Sequence, residues 1–320
     1  MSYFKKNFNY PHGIMFHHFH DDKKHPKTQG SISAKSFTKI IKFIGRKNIL
    51  NPKEFFNAYE NKNKNKVCFT FDDGIKSQID IALPVLEKFK INAIFFIHSS
   101  ILENSNNVLE LHRFFRNSSF SSINQFYKEF FLLVEILISK KKLNNFYKIN
   151  KKKILQYKKN YKFYSTGDIK FRLIRDDLLK KKQYNFIISR MMKDKKFNSI
   201  QASSKIQMSI KDLLRLIKKK QSNLIGLHSN THPTDIDKYS RKKQRDEYRL
   251  NQIKLHQKLK TTISVASYPN GKFNKDTRKI LEDLKILFCF DAVMKKNNFF
   301  CLDKYHIPRQ DHANIMKKMK

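Results

Sequence analysis

Val67-Cys68-Phe69-Thr70-Phe71-Asp72-Asp73-Gly74 is the stretch that decides how this chain folds. Its alternating β-branched and aromatic residues read as a buried strand, and Gly74 lets the backbone turn sharply at the end. Two carboxylates side by side at the edge of a buried strand repel each other and desolvate badly, so folding alone does not favour them there. A metal ion relieves that cost if one carboxylate binds it while the other handles a proton.

The remaining donors of such a site are sought elsewhere in the chain. Ile225-Gly226-Leu227-His228-Ser229-Asn230-Thr231-His232-Pro233 places two imidazoles four residues apart after a short apolar run. On one helical turn, or in a tight loop after a strand, that spacing aims both rings at a common point. Imidazole nitrogen with carboxylate oxygen suits a divalent transition ion, zinc by default. One Asp and two His leave coordination positions open, the arrangement of a catalytic and not a structural site. An Asp-Asp-Gly or a His-x-x-x-His alone is weak evidence; two of them, each after its own strand, are harder to dismiss.

These motifs resemble those of the polysaccharide deacetylase family, the NodB-homology group of carbohydrate esterases (family 4). Thr70 to Gly74 matches the family's Thr-Phe-Asp-Asp-Gly, and His228, Ser229 and His232 match its His-Ser/Thr-x-x-His. Tyr268-Pro269-Asn270-Gly271 approximates the third motif. Softer similarity runs through Met15-Phe16-His17, Ile81 to Leu86, Ala93 to Phe96 and Ile307-Pro308-Arg309, so the likeness covers roughly residues 10–100 and 205–310. By that resemblance Asp72 is the general base, and Asp73, His228 and His232 hold the metal. The backbone amide of Asn270 is the oxyanion donor. The arginine that precedes motif three in many relatives is replaced by Ser267, which leaves the orienting partner of Asp72 unassigned. The late Leu-x-His that carries the general acid has no clean match, so His17 and His306 are the candidates for acid or substrate contact. Of the five N-terminal histidines, His17 is the site residue, because the family's first strand lines the barrel; a separate histidine metal site is not expected.

Alternating strands and helices with ligands at strand ends predict an α/β fold: a distorted, incomplete (β/α) barrel of the NodB-homology type with its site on the C-terminal face. Residues 1–100 and 205–320 form the barrel, and residues 101–204 a mainly helical insertion, read as a lid or a dimer contact. The strands are Gly13–Phe19, the run from Val67 that ends in the two carboxylates before Gly74, Asn92–Ile97, the apolar segment Asn223–Leu227, Ile263–Tyr268 and Ile286–Val293. The barrel helices are Ala34–Gly45, one beginning near Pro84, Ser209–Lys219, Arg241–Lys260 and Asp276–Leu284; Phe37, Ile40, Ile41 and Ile44 form the apolar stripe of the first. In the insertion Leu109–Phe115, Ile123–Lys140 and Asp176–Met192 are helical by period, whereas the lysine runs carry no apolar stripe.

The 320 residues hold Lys+Arg 67 against Asp+Glu 27, a net charge of +40. The plainer account is compositional drift, since Lys, Asn, Ile and Phe abound and lysines are spread along the chain; nucleic acid is not favoured as a partner. Such a surface still attracts anionic membranes. No apolar run reaches membrane-spanning length, and the first ten residues lack the apolar core of a secretory signal. Cys68, Cys289 and Cys301 read as reduced core thiols, which suits the cytoplasm, with the protein peripheral at the inner membrane face. The expected function is metal-dependent removal of an acetyl group from a carbohydrate, an acetamide or an ester, in surface-glycan biosynthesis. The alternatives are a catalytically weakened, glycan-binding or scaffolding member, and a basic polyanion-binding protein whose metal site is structural.

Overall fold

The computed structural model describes residues 3–4, 9–21, 23–103, 108–160, 164–218, 223–294 and 303–319. Cys301 and the last two lysines of the run 218–220 lie outside them. The chain divides into two compact units, Met1–Asn107 with Ser203–Lys320, and Val108–Ala202.

The first unit is built on seven strands: β1 (His12–Phe16), β2 (Val67–Asp72), β3 (Ile94–Ile97), β4 (Leu224–Leu227), β5 (Val265–Ser267), β6 (Phe288–Phe290) and β7 (Arg309–Asp311). Every pairing is parallel, in the order β6-β5-β4-β3-β2-β1-β7. Ile307, two residues before β7, bridges Phe290 of β6 and nearly closes the ring. The expected (β/α) barrel is therefore present, with β7 as a strand that the periodicity did not reveal. Its three residues, Arg309-Gln310-Asp311, are all polar and offer no apolar alternation to see.

The helices of this unit that precede the second unit are α1 (Ala34–Ile44), α2 (Pro52–Glu60) and α3 (Leu83–Lys88). All four stripe residues of α1 are buried. Helix α2, unforeseen from sequence, starts on Asn51 with a capping box to Glu54 and Pro52 in its first turn. Pro84 does stand in the first turn of α3, but a π-helical turn, Gln78–Ala82, precedes it.

Period-two alternation sorts the strand residues. Val67, Phe69 and Phe71 of β2 join the outer core beneath α1, while Cys68 faces an inner cluster with Ile94, Phe96, Val265, Phe290 and Ile307. Helix α2 sends Phe55 and Tyr59 into that inner cluster, and Phe56 stacks on Phe288 at 4.1 Å, so the N-terminal mouth of the barrel is plugged by aromatic rings. Cys68 and Cys289 are buried free thiols.

The second unit holds α4 (Val108–Ser118), α5 (Ile123–Ile138), α6 (Lys140–Ile149), α7 (Lys151–Asn160), α8 (Thr166–Leu173) and α9 (Lys181–Asp194); α10 (Ser199–Ile206) follows, running across the division between the units. The period expected over Ile123–Lys140 stops at Ser139, whose φ of 71° ends α5 and whose hydroxyl caps α6. That expected over Asp176–Met192 breaks at Leu179, where the chain becomes extended before α9. The return path contains α11 (Ile210–Leu216), α12 (Arg241–Leu259), α13 (Lys275–Asp283) and α14 (His312–Lys318). Among the described residues no helix is long and apolar enough to cross a membrane.

At the base of β1, the His12 ring stands 2.7 Å from the Tyr10 carbonyl through Nδ1 and 2.7 Å from the Tyr3 hydroxyl through Nε2. A carbonyl only accepts, so Nδ1 carries the hydrogen and Nε2 accepts from Tyr3. Burial lowers the His12 pKa to about 4 against the opposing Tyr10 carbonyl. The native state therefore resists a proton that the unfolded chain takes near pH 6.5. Stability from this residue is fully present above that pH and declines as pH falls to about 4, by roughly 3 kcal/mol in all. Urea midpoints measured across that range should fall less steeply for His12→Gln than for the parent. Equal slopes in the two proteins would contradict this account.

Candidate metal centre and its supporting shell

The carboxylate pair is placed by the C-terminal end of β2. Asp72 is its last residue and Asp73 the first of the turn, with φ of 75° followed by 63° at Gly74. A non-glycine residue in the left-handed region is strained, and strain of this kind gathers at sites that need a side chain aimed against backbone preference. Gly74 suits its positive φ, and a Cβ there would also lie 2.8 Å from the end of the Ile101 side chain and displace it.

The imidazoles come from the loop after β4. Nδ1 of His228 lies 3.0 Å from the Ser267 carbonyl and must donate to it, which leaves the Nε2 lone pair facing Asp73 at 3.4 Å. Ser229 and His232 both have positive φ, 62° and 53°, and this turns Nε2 of His232 to 3.3 Å from the same Asp73 Oδ1. The three donor atoms lie within 4.8 Å of one another. Two ligands about 2.1 Å from one ion at the tetrahedral angle stand about 3.4 Å apart, so both Asp–His spacings fit a shared ion, and the wider spacing between the two imidazoles requires the rings to close on it. The charge also fits. Asp73 Oδ1 is buried with no hydrogen-bond partner, and Arg309 balances only Asp72. With neutral imidazoles one negative charge is left for a cation to answer.

Glu247 and Asn251, one turn apart on α12, hold the histidine loop. Glu247 accepts from the backbone amides of Asn230 and Thr231 and from the Thr231 hydroxyl, and Asn251 accepts the amide of His228 while donating to Ile97. Both sit on the buried face of α12, and polar residues interrupting a helix's inward stripe were the available sign of that role.

The partner of Asp72 is Arg309, at the start of β7. Its guanidinium donates to both carboxylate oxygens at 2.7 and 2.9 Å, to the Ser267 hydroxyl at 2.7 Å and, through Nε, to the Asp291 carbonyl at 2.7 Å. The side chain climbs the barrel interior beside Phe96 and is 1% exposed. It passes Gly13, where a Cβ would meet Arg309 Cγ at 2.8 Å. Ser267 therefore occupies the family's arginine position as an acceptor for an arginine arriving from another strand, β7. In the sequence Ile307-Pro308-Arg309 carries only soft similarity to the family.

Burial by itself would raise the Asp72 carboxyl, but Arg309, then His228 and His17, outweigh it and hold the pKa below the usual range. Asp73 is likewise pushed up by burial and drawn well below its ordinary value by His232 and His228. Burial lowers His232 against the pull of Asp73 and favours its neutral, ligating form. For His228 the two aspartates outweigh burial and raise the pKa, so an ion would compete with a proton there.

The other sequence candidates are spread around this centre. His17, just after β1, has Nε2 3.8 Å from Asp72 Oδ2 with a side chain 30% exposed. Gln78 donates to the backbone carbonyls of both His17 and Asp72, tying the ends of β1 and β2 together. His306 stands 3.3 Å from Asp291 through Nδ1, its ring beside those of Phe273 and Tyr268. Asn270 is exposed, with φ of 52°, between buried Pro269 and Gly271.

A family model described as polysaccharide deacetylase matches residues 59–115 and 177–289. No curated protein matches by sequence. Among solved structures the chain resembles the deacetylase PplD of Streptococcus pyogenes in complex with acetate, at 13% identity and TM-score 0.55 over 97% of this chain and 98% of that one. It also resembles IcaB from Ammonifex degensii (14%, TM-score 0.54, 95% and 91%) and the BpsB deacetylase domain from Bordetella bronchiseptica (11%, TM-score 0.53, 96% and 97%). At these identities the likeness is one of fold.

Two outcomes test the site. Arg309→Met strands Asp72 as a buried, unpaired carboxylate and should lower the unfolding free energy by about 3–5 kcal/mol; Gly13→Ala, which displaces the same side chain, should lower it by about 1–3 kcal/mol. Full stability of Arg309→Met in urea would refute the pairing. In dialysis against zinc the protein should take up about one ion per chain. Asp73→Asn and His232→Ala should each lose more affinity than the roughly 10–100-fold of an outer-partner change. Unchanged stoichiometry in both variants would place the ion elsewhere.

Proposed function

The chain belongs to the polysaccharide deacetylase family, and from that premise we propose that it is a metal-dependent hydrolase removing an acetyl group from a carbohydrate. The bond is an acetamide or an acetyl ester, on a substrate of surface-glycan biosynthesis. The observation that carries the reading is the approach of Asp73, His228 and His232 to one point beside a carboxylate, Asp72, that none of them needs as a ligand.

A divalent ion held by those three residues, zinc given its two nitrogens and one oxygen, would supply Lewis-acid polarisation of the acyl oxygen and a more acidic water. The protein's own groups do the rest. Asp72, kept ionised and fixed in direction by the Arg309 fork, takes the proton of the attacking water. The Asn270 amide, presented by the Pro269–Gly271 turn, donates to the developing oxyanion. His17 at the open edge beside Asp72, or His306 seated against Asp291, protonates the departing amine. We assign both as candidates for that proton.

Two features, Ser267 and the lack of a clean Leu-x-His, would favour a catalytically weakened member. Arg309 removes the first ground, because the base has its guanidinium from another strand, so the active reading is favoured. Buried thiols at Cys68 and Cys289 support a reducing compartment, and we propose the cytoplasm.

With zinc bound, Asp72→Asn should release acetate from acetylated sugars about 10²–10⁴-fold more slowly than the parent, while its zinc content stays unchanged. Parent-level turnover in that variant would remove Asp72 as the base. A parent protein inert toward a panel of N- and O-acetylated sugars would favour the weakened member.

A further inference from the structure

We propose that α6 and α7, with the exposed end of α5, form a docking surface for an anionic lipid bilayer. The surface lies wholly within the helical unit, so its assignment stands apart from the chemistry of the barrel.

Charge and apolar exposure coincide there. From Ile136 to Gly167 the sequence has ten lysines and not one Asp or Glu, although acidic residues occur on both sides at Glu135 and Asp168. Drift spreads lysine along a chain; it does not explain a stretch of this length without a counter-charge. The core of the unit takes Leu143 and the half-buried Phe146 and Tyr147 from α6, and no described side chain from α7. Phe126, Phe130 and Val134 of α5 are buried, but α6 buries only Leu143, and none of the described side chains of α7 is fully buried. The opposite ridge of α5 exposes Leu132 by 53% and Ile136 by 81%. Ile149 at the end of α6 is 72% exposed and Leu155 on α7 is 56% exposed, each between lysines.

A polar surface helix is ordinarily laced by acid–base pairs, and α7 has only Lys153 with Asp177 described at 2.6 Å. Uncompensated positive charge beside unpartnered aliphatic side chains is the pattern of an interfacial helix: lysines meet anionic headgroups while Ile and Leu enter the acyl boundary. Nucleic acid would answer the charge but gain nothing from Ile136, Ile149 and Leu155, so the lipid surface is the occupant that uses both features.

The test is sedimentation of the whole protein with phosphatidylglycerol-containing vesicles, with pure phosphatidylcholine vesicles as reference. Binding should require the anionic lipid. Lys141→Gln with Lys148→Gln and Lys152→Gln should weaken it about 100-fold, near fivefold per charge. The equal charge change on α1, Lys35→Gln with Lys39→Gln and Lys42→Gln, should have little effect. Ile149→Ser with Leu155→Ser, at exposed positions that leave the circular dichroism unchanged, should weaken binding about tenfold. The proposal is overturned if neither vesicle sediments the protein, or if the α1 triple weakens binding as much as the α6–α7 triple. It also falls if the apolar pair has no effect while RNA competes fully, the behaviour of a nucleic-acid surface.

Discussion

A guanidinium buried in the barrel interior is the constraint on which the rest depends. Arg309 leaves β7 near the level of Gly13, rises past Phe96 and meets Asp72 in a two-pronged pair at 2.7 and 2.9 Å. Neither charge is tolerable there alone: an isolated ion in the interior is strongly disfavoured, and removing one partner strands the other. The pair in turn dictates its surroundings. Residue 13 must lack a side chain, residue 267 must be small and able to accept, and the Asp291 carbonyl must turn inward. Because Arg309 neutralises Asp72 and not Asp73, the two adjacent carboxylates are no longer equivalent. One is oriented and held ionised; the other is left with two imidazoles and an unanswered charge.

This division of labour explains why two acids persist at the end of a buried strand. The backbone enforces it as well. Asp72 keeps extended geometry and points into the barrel with Cys68 and Thr70, while Asp73 enters the left-handed region and turns toward the loop after β4. Glu247 and Asn251 then hold that loop from α12, so the positions of His228 and His232 are set by a helix they do not belong to. The supporting shell is polar because its task is to satisfy loop amides, which apolar side chains cannot do.

What could be read from the sequence was what is local. The alternation of β2, the stripe of α1 and the spacing of the two histidines are all contiguous patterns with a physical period. Arg309 is not local: it lies 237 residues from Asp72 and is one of 67 basic residues, so nothing near it marks it as the one buried fork. Ser267 looked like a loss because the lost arginine and its replacement lie on different strands. Helices α6 and α7 were missed for another reason. Lysine's adequate helix propensity supports both, and α6 adds the Ser139 cap and a narrow contact through Leu143, Phe146 and Tyr147, too little apolar patterning among the lysines for hydrophobic periodicity to mark them. The breaks at Ser139 and Leu179 were hidden because apolar spacing continues across them while the backbone does not.

The account stands or falls on a single ion shared by Asp73, His228 and His232, with Asp72 beside it and not bound to it. Anomalous diffraction from zinc-soaked crystals tests that most directly. The account predicts one peak about 2.0–2.2 Å from Asp73 Oδ1 and from both Nε2 atoms, with Arg309 still gripping Asp72. Density that draws Asp72 into the coordination shell, or an ion bound away from these three residues, would contradict it.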